Sequence, residues 1–161
     1  MALNLPQEHI IENEKLIADG YVDLFEIKLK DNTYLWLKNN NTVNWQGRTW
    51  QGLPLNFEGY SSSSTDSLSR PNFSVANMDG AYSKYICNGL LNRAILTRYR
   101  VLYQNILDDV NVFQSQTWIV WNTPSFNNKF ITFELRTTLD GPNFVVPARQ
   151  YMPPEFPCVR L

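Results

Sequence analysis

The chain has 161 residues, with 14 Lys and Arg against 15 Asp and Glu and a formal net charge of −1. This length suits one hydrophobic core rather than two, and the charge balance lacks the basic surface with which proteins neutralise nucleic-acid phosphates. The charge balance therefore leads us to expect no sequence-specific nucleic-acid binding. The sequence also has no run of about 20 apolar residues and no standard amino-terminal signal, so we expect no stable membrane insertion.

Residues 1–20 predict an amino-terminal helix or arm. Apolar residues recur at close to helical spacing from Ile10 to Ile17, and Gly20 can adopt the left-handed conformation that ends helices. The single histidine, His9, falls in this segment with no Cys or Asp beside it to orient its ring. A catalytic triad is therefore disfavoured, and we interpret His9 as a surface helix residue.

Residues 21–146 predict one β domain that begins with a hairpin. Residues 21–29 and 33–37 are rich in aromatic and branched side chains, which favour strands. Lys30, Asp31 and Asn32 lie between them and form a polar turn of hairpin length.

The next segments predict short strands, a loop and a helix. Residues 41–55 predict two strands, with Gly47 supplying the positive φ that a tight reversal needs. The Ser- and Thr-rich residues 61–69 predict an exposed loop. The sequence SRPNFSVANMDG predicts a strand that starts near Pro71, and Asp79 after it can cap one compact helix.

Three further segments, residues 93–103, 117–121 and 129–138, alternate in polarity as half-buried strands do. The stretches NILDDVNVFQ and NTPSFNN between them are dense in turn-forming residues. Short strands separated by such turns, with one or two short helices, predict an all-β fold, either a β-barrel or a sandwich.

Residues 147–161 predict an extended, proline-rich carboxyl-terminal arm. An apolar strip on this arm would seek a protein partner. We therefore predict that the subunit contacts are made by Tyr151, Met152, Phe156, Val159 and Leu161.

Motifs for catalysis, cofactors and metals are missing from the sequence, which contains no GxSxG, GxGxxG, Walker loop, HExxH or calcium loop. We expect no catalytic residue, no metal ligand and no cofactor. The serines from Ser61 to Ser64 lie in a polar run without a base, which favours a linker over a nucleophile.

Two other functions stay open at this point. The five tryptophans would form a sugar platform in a carbohydrate-binding β-sandwich module, although packing in the core or an interface is the favoured use of Trp36, Trp45, Trp50, Trp118 and Trp121. Trp118 and Trp121 fall on opposite faces of a strand, so at most one of them lines a cleft. A small hydrolase using Glu134 and Asp140 is the remaining alternative, without support from their spacing.

Several segments occur in an order that carries more information than any one of them. GYVDLFEIKL is followed by WQGRTWQGLPL, SRPNFSVANMDG, a short helix, RAILTRYRVLY and FELRTTLDGPNFVVPARQY. This order resembles the minor tail protein L family of lambda-like phages over roughly residues 18–150. The sharpest parts are the strand from Arg70-Pro71 to Ala76-Asn77 and the strand that leads into Asp140-Gly141.

The resemblance implies a virion structural protein at the tail tip, in a ring between the tube-end ring protein and the central hub protein. It also implies a β-barrel module of the tail tube and hub type, self-association into a three- or six-fold ring closed by sheet edges, and a channel that passes the tape measure. The expected location is the virion tail tip, after assembly in the host cytoplasm.

Longer members of that family continue into a cysteine-rich domain that resembles an iron–sulfur cluster carrier. Cys158 matches only the first of those cysteines, and Cys87 is the one other cysteine in the chain. A cluster needs about four thiolates, so we expect none here. The two cysteines can be free thiols or one disulfide, and the sequence leaves both possibilities open.

Overall fold

The computed structural model describes residues 6–14, 20–59, 70–127 and 129–137. Its elements in chain order are α1 (Gln7–Glu14), β1 (Tyr21–Lys28), β2 (Tyr34–Lys38), β3 (Val43–Trp45), β4 (Arg48–Gly52), β5 (Leu55–Glu58), β6 (Asn72–Ala76), a 3-10 turn (Met78–Gly80), α2 (Ser83–Cys87), β7 (Ile95–Leu102), α3 (Tyr103–Leu107), β8 (Gln114–Phe126) and β9 (Phe130–Arg136). The predicted all-β class is confirmed, with three short α-helices in this part of the chain where one or two were expected. None of its helices is long and apolar enough to cross a membrane.

Both predicted reversals in the first half of the chain are formed. The β1–β2 turn places Asn32 at a φ of 62°, and the Asp31 carboxylate accepts a hydrogen bond from the Thr33 amide at 3.0 Å. Between β3 and β4, Gln46 and Gly47 have φ values of 53° and 69°. Two successive residues with positive φ give the reversal that fits the twist of paired strands.

The nine strands form one sheet in the order β3-β4-β2-β1-β7-β8-β9-β6-β5. All neighbours are antiparallel except β2 and β4, which run parallel over a short ladder. In the described residues no ladder joins β3 to β5, so the sheet is open and a closed barrel is not formed. The sheet nevertheless curls over itself, because the Phe25 ring on β1 lies 5.0 Å from Phe73 on β6 and 5.7 Å from Phe57 on β5.

Strand β1 is covered on both of its faces, which explains its run of buried residues from Leu24 to Ile27. The larger core fills the inside of the curl and consists of Phe25, Ile27, Leu29, Leu37, Phe73, Val75, Leu91, Ala94, Leu96, Trp118, Val120, Ile131, Phe133 and Leu135. A smaller core covers the opposite face and consists of Leu24, Trp45, Trp50, Val101 and Ile106. The β3–β4 hairpin and α3 therefore cover the back of the strand that carries the main core.

The ANMDG segment owes its form to Asn77, which is fully buried. Its side-chain oxygen accepts from the Tyr82 amide at 3.0 Å, and its Nδ2 donates to Ser83 Oγ at 3.1 Å and to the Asn127 carbonyl at 3.2 Å. One amide side chain thus ties β6, α2 and the β8–β9 turn together. Gly80 follows with a φ of 67°, which favours glycine.

Three predictions along the chain are wrong. The segment NILDDVNVFQ contains most of α3, and residues 122–126 of the predicted turn NTPSFNN continue β8 to Phe126. The ladder with β9 is irregular between Val120 and Asn122 and again between Asn122 and Ser125, the stretch that contains Pro124. Proline lacks an amide donor, so a strand accommodates it best where the ladder is interrupted. At the amino terminus Gly20 does not have the positive φ expected of a residue that ends a helix, and residues 15–19 before it lie outside the described part.

Candidate interaction surface

Two carboxylates, Asp23 and Glu26, lie three residues apart on β1 and point to opposite faces of the sheet. The Glu26 side chain is 12% exposed and that of Asp23 is 34% exposed. Each carboxylate organises a cluster of polar side chains around it. The two clusters differ in whether the described residues supply all the hydrogen-bond and charge partners that each cluster needs.

The Glu26 cluster lies beside the smaller core and is complete. One carboxylate oxygen accepts from Trp36 Nε1 at 3.0 Å and from Arg48 Nη1 at 2.9 Å, and the other accepts from the Tyr99 hydroxyl at 3.3 Å. Burial raises the pKa of Tyr99, and the negative charge of Glu26 raises that pKa further. Three donors, one of them a cation, therefore meet one buried carboxylate.

The Asp23 cluster lies on the other face and is not complete. Asp23 accepts from Arg98 Nη2 at 2.6 Å and from Arg100 Nε at 3.2 Å, so one carboxylate faces two guanidinium groups. The Arg98 side chain is only 8% exposed, and its Nε is buried without a hydrogen-bond partner in the described part of the chain. The Arg98 guanidinium lies 5.2 Å from the centre of the Phe57 ring.

A cleft of about 380 Å³ opens beside this cluster. It lies between the start of β1, the end of β2 with the loop after it, and β5. Its lining is formed by Tyr21, Val22, Asp23, Phe25, Lys38, Asn39, Asn40, Leu55, Asn56, Phe57 and Arg98. Its walls thus combine cations, amides and aromatic rings, and we call it the Arg98 cleft.

One wall of the Arg98 cleft is a stretch of strand edge. Strand β1 pairs with β7 from Tyr21 to Lys28, but its ladder with β2 begins only at Leu24. The stretch 21–23 therefore has no ladder partner on the β2 side among the described residues. Such an edge can pair with an additional extended chain.

The tryptophans that would form a sugar platform are not exposed in this fold. Trp45, Trp50 and Trp118 are buried in the two cores. Trp36 and Trp121 are half-buried, and each has an arginine over its ring, Arg48 at 5.7 Å and Arg136 at 4.2 Å. Trp118 and Trp121 lie on opposite faces of β8 as predicted, and the structure offers a carbohydrate no open aromatic surface built from these side chains.

Other predicted site residues are only partly within the described part of the chain. The five arm residues, Cys158, Asp140 and the serine run 61–64 lie outside it, so those predictions stand as they were made. Glu134 is on β9, where it pairs with Arg136 at 3.2 Å. Cys87 at the end of α2 is an exposed free thiol, and the described residues contain no group of side chains suited to a metal ion.

The interpretation of His9 as a surface residue is wrong, although it does lie on a helix. His9 is 1% exposed, and its ring centre lies 5.4 Å from that of Tyr21. Its Nε2 has no hydrogen-bond partner within the described ranges. Burial lowers the pKa of His9, the Glu8 carboxylate opposes this shift and Arg100 adds to it, so the ring that docks α1 onto the sheet is neutral at pH 7.

Sequence reasoning missed Asp23, Arg98 and Lys38 as members of one site. The alternation in RAILTRYRVLY placed Arg98 and Arg100 on one face of a strand, and this was the available signal. Only the register that sets Asp23 opposite Arg100 shows that this face turns toward a carboxylate.

Comparisons with known proteins agree with this architecture. A family model described as phage minor tail protein L matches residues 33–157. Among solved structures, a chain of the "Virion of native gene transfer agent (GTA) particle" aligns with a TM-score of 0.62 at 10% sequence identity, a likeness of fold alone. The alignment covers 90% of this chain and 47% of that one, so the present chain spans about half of its length. A search of curated proteins gave no match.

Proposed function

The chain belongs to the phage minor tail protein L family, and from this membership we propose that it is a ring subunit of the tail tip. In this role it joins the tube-end ring protein to the central hub protein. The match of the family model over residues 33–157 is the observation that carries the proposal. The coarser statement, a structural component of a phage tail, follows from the family itself.

The open sheet supports a role in assembly. Within the described residues β3 and β5 are the end strands, and β1 has an unpaired stretch at residues 21–23. Edges of this kind pair with other chains unless something covers them. We propose that sheet edges of neighbouring copies close a three- or six-fold ring, with the tape measure passing through its channel.

Exposed apolar side chains on two helices also support a role in assembly. Ile10 and Ile11 on α1 and Tyr103 and Leu107 on α3 are between 45% and 61% exposed. Helix α1 contacts α3 through Glu8, which accepts a hydrogen bond from Asn105 Nδ2 at 3.2 Å. A near-zero net charge adds little repulsion between copies, and these features suit a subunit that packs against neighbours.

We propose no catalytic step and no cofactor for this protein. Residues 147–161 are proposed to contact a neighbouring subunit through the five apolar residues of the arm. Assembly takes place in the host cytoplasm, and the finished location is the virion tail tip.

Removal of the arm tests the proposal. A phage encoding the chain truncated after residue 146 is compared with one in which the five arm residues are kept and Lys129, an exposed residue of the β8–β9 turn, is changed to Gln. Tails are purified, the protein is detected by antibody, and its position is found by gold labelling in electron microscopy. We expect label at the tail tip for Lys129→Gln and none for the truncation, which should still give a folded soluble protein.

Two outcomes would contradict the proposal. Label along the tube or on the head would refute the tail-tip location. Infectious particles from the truncated phage, with the protein at normal abundance, would refute the role of the arm.

A further inference from the structure

The Arg98 cleft carries an excess of positive charge that the described chain does not balance. Asp23 is paired with both Arg98 and Arg100. Lys38 also belongs to the lining, and its amine donates a hydrogen bond to the Asn39 carbonyl at 3.1 Å. Two guanidinium groups thus share one carboxylate, and the lining contains one further cationic residue, in a chain whose net charge is −1. A second carboxylate would reduce this excess.

Arg98 also has a hydrogen-bond donor with nothing to donate to. Its side chain is more than nine-tenths buried, and its Nε is shielded from water without an acceptor among the residues that the structure describes. A buried donor left unpaired is unfavourable, and proteins rarely keep one without a purpose. An acceptor supplied by another molecule, through the cleft that Arg98 lines, removes this penalty.

The rest of the lining indicates which kind of molecule carries that acceptor. The unpaired edge of β1 at residues 21–23 presents backbone donors and acceptors, as do the side-chain amides of Asn39, Asn40 and Asn56. These groups match the backbone of an extended peptide. The cleft volume of about 380 Å³ falls in the lower part of the range for binding pockets, which suits a few residues of chain.

The geometry points to the Arg98 cleft as a binding site for an extended acidic segment of another protein. The segment adds to β1 as a short strand that continues the line of β2. One of its Asp or Glu side chains reaches into the cleft and accepts from Arg98 Nε. That the segment belongs to a neighbouring virion protein rests on the proposed function, whereas the site itself rests on the cleft alone.

A peptide titration of the full purified chain tests this inference. The probe is a seven-residue peptide of Thr and Val with one central Glu and blocked ends, and its twin has Gln in place of Glu. Binding is followed by ¹H–¹⁵N NMR at the Arg98 Nε–H and the amides of Tyr21, Val22 and Asp23. We expect these four signals to move with the Glu peptide, and the Gln peptide to bind about tenfold more weakly.

Two variants with the same change in charge sharpen the test. Lys38→Glu places a negative charge in the lining and should weaken the Glu peptide by about tenfold or more. Lys28→Glu lies on β1 outside the lining, where the lysine faces the Tyr34 ring at 5.7 Å, and should bind as the original chain does. Both positions are partly exposed, so both variants should fold.

Several results would overturn the inference. Equal binding of the Glu and Gln peptides, unchanged binding by Lys38→Glu, or no movement of the four signals would each refute it. A parallel titration with sodium glutarate distinguishes a free carboxylate from a peptide, and movement with glutarate alone would replace the strand site by a small-anion site.

The peptide experiment and the tail-tip experiment can fail independently of each other. Peptide binding as expected by a protein that is absent from purified virions keeps the site and removes the tail-tip role. A protein found at the tail tip that binds neither peptide keeps the role and removes the site.

Discussion

The two polar clusters on β1 differ in whether the groups around the central carboxylate all have hydrogen-bond partners. Glu26 is buried against the smaller core with three donors, one of which is the cation Arg48, so its charge and its hydrogen bonds are matched within the chain. Asp23, three residues earlier, shares two cations while a neighbouring buried donor on Arg98 has no acceptor.

This difference distinguishes a cluster that stabilises the fold from a cluster that can bind a group of another molecule. A buried ionic group is tolerated when every partner is present, and a partly satisfied network is less stable than an apolar core of the same shape. The Glu26 cluster meets this condition and helps to fix β3 and β4 against the back of β1. The Asp23 cluster does not meet it, which is expected where the missing partner comes from outside the chain.

The largest loss of stability should come from a cavity made beside the Glu26 cluster. Trp50 is fully buried and packs edge-on against Tyr99, the tyrosine that bonds Glu26, with 5.9 Å between ring centres. Trp50→Ala should lower the free energy of unfolding by about 3–5 kcal/mol, measured by urea denaturation. The resulting cavity would let water reach Glu26 and make this side resemble the Asp23 side.

Trp50→Phe is the matched control for that change. The Trp50 Nε1 has no acceptor among residues 6–14, 20–59, 70–127 and 129–137, so phenylalanine removes volume without removing a hydrogen bond within them. We expect its cost to be about 2 kcal/mol or less. A cost equal to that of Trp50→Ala would show that the indole N–H has a partner in solution.

Removing only the charge of Glu26 should have an intermediate effect. Glu26→Gln keeps the shape of the side chain but weakens the bonds from Arg48, Trp36 and Tyr99, and we expect a loss of about 1–2 kcal/mol. The negative charge of Glu26 raises the pKa of Tyr99, so that pKa should fall in the variant while staying above its usual value because of burial. A pH titration of the Tyr99 ring signals by NMR measures it, and an unchanged pKa would place Glu26 away from the hydroxyl.

The sequence predicts the strands of this fold better than its helices and its site. Aromatic and branched residues identified β1 and β2 within a few residues. Alternation identified β6, β7 and β9, because one face of these strands is more deeply packed than the other. Turn residues were less reliable. The polar NILDDVNVFQ segment contains most of α3, whose Asn105 and Ile106 are buried by docking against the sheet, a tertiary effect that local composition does not carry.

The same limit applied to the site. Periodicity cannot show that β5 and β6 curl over β1, and this curl brings Phe57 and Asn56 to the side of Arg98. His9 was misjudged for the related reason that a helix with a weakly apolar face gave no sign of which side docks. The family resemblance, by contrast, depended on the order of segments and was confirmed over residues 33–157.

A smaller effect should follow when the same substitution is made in each cluster. Arg98→Met removes a buried cation but leaves Asp23 paired with Arg100 and partly in water, so we expect a change in unfolding free energy within about 1 kcal/mol of zero. Arg48→Met leaves the buried Glu26 carboxylate without a cation and should cost more than Arg98→Met in the same urea assay. A larger loss for Arg98→Met would mean that the Asp23 cluster is structural and that the contrast between the clusters is wrong.

The smallest effect should appear as a dependence of stability on pH at α1. The folded protein holds His9 with a lowered pKa, whereas the unfolded chain titrates near the ordinary value of 6.5. Above that pH the docking of α1 contributes fully, and the contribution is lost as pH falls from about 6.5 toward the lowered pKa, because the unfolded state takes up the proton first. Thermal unfolding at pH 7.5 and 5.5 should therefore show a lower midpoint at pH 5.5, and His9→Gln should reduce the difference. Because Arg100 both lowers the pKa of His9 and pairs with Asp23, Arg100→Gln should bring the pKa of His9 closer to its ordinary value and make the loss of stability at pH 5.5 smaller. The Glu26 cluster should be unchanged, so this titration depends on the Asp23 side of the strand.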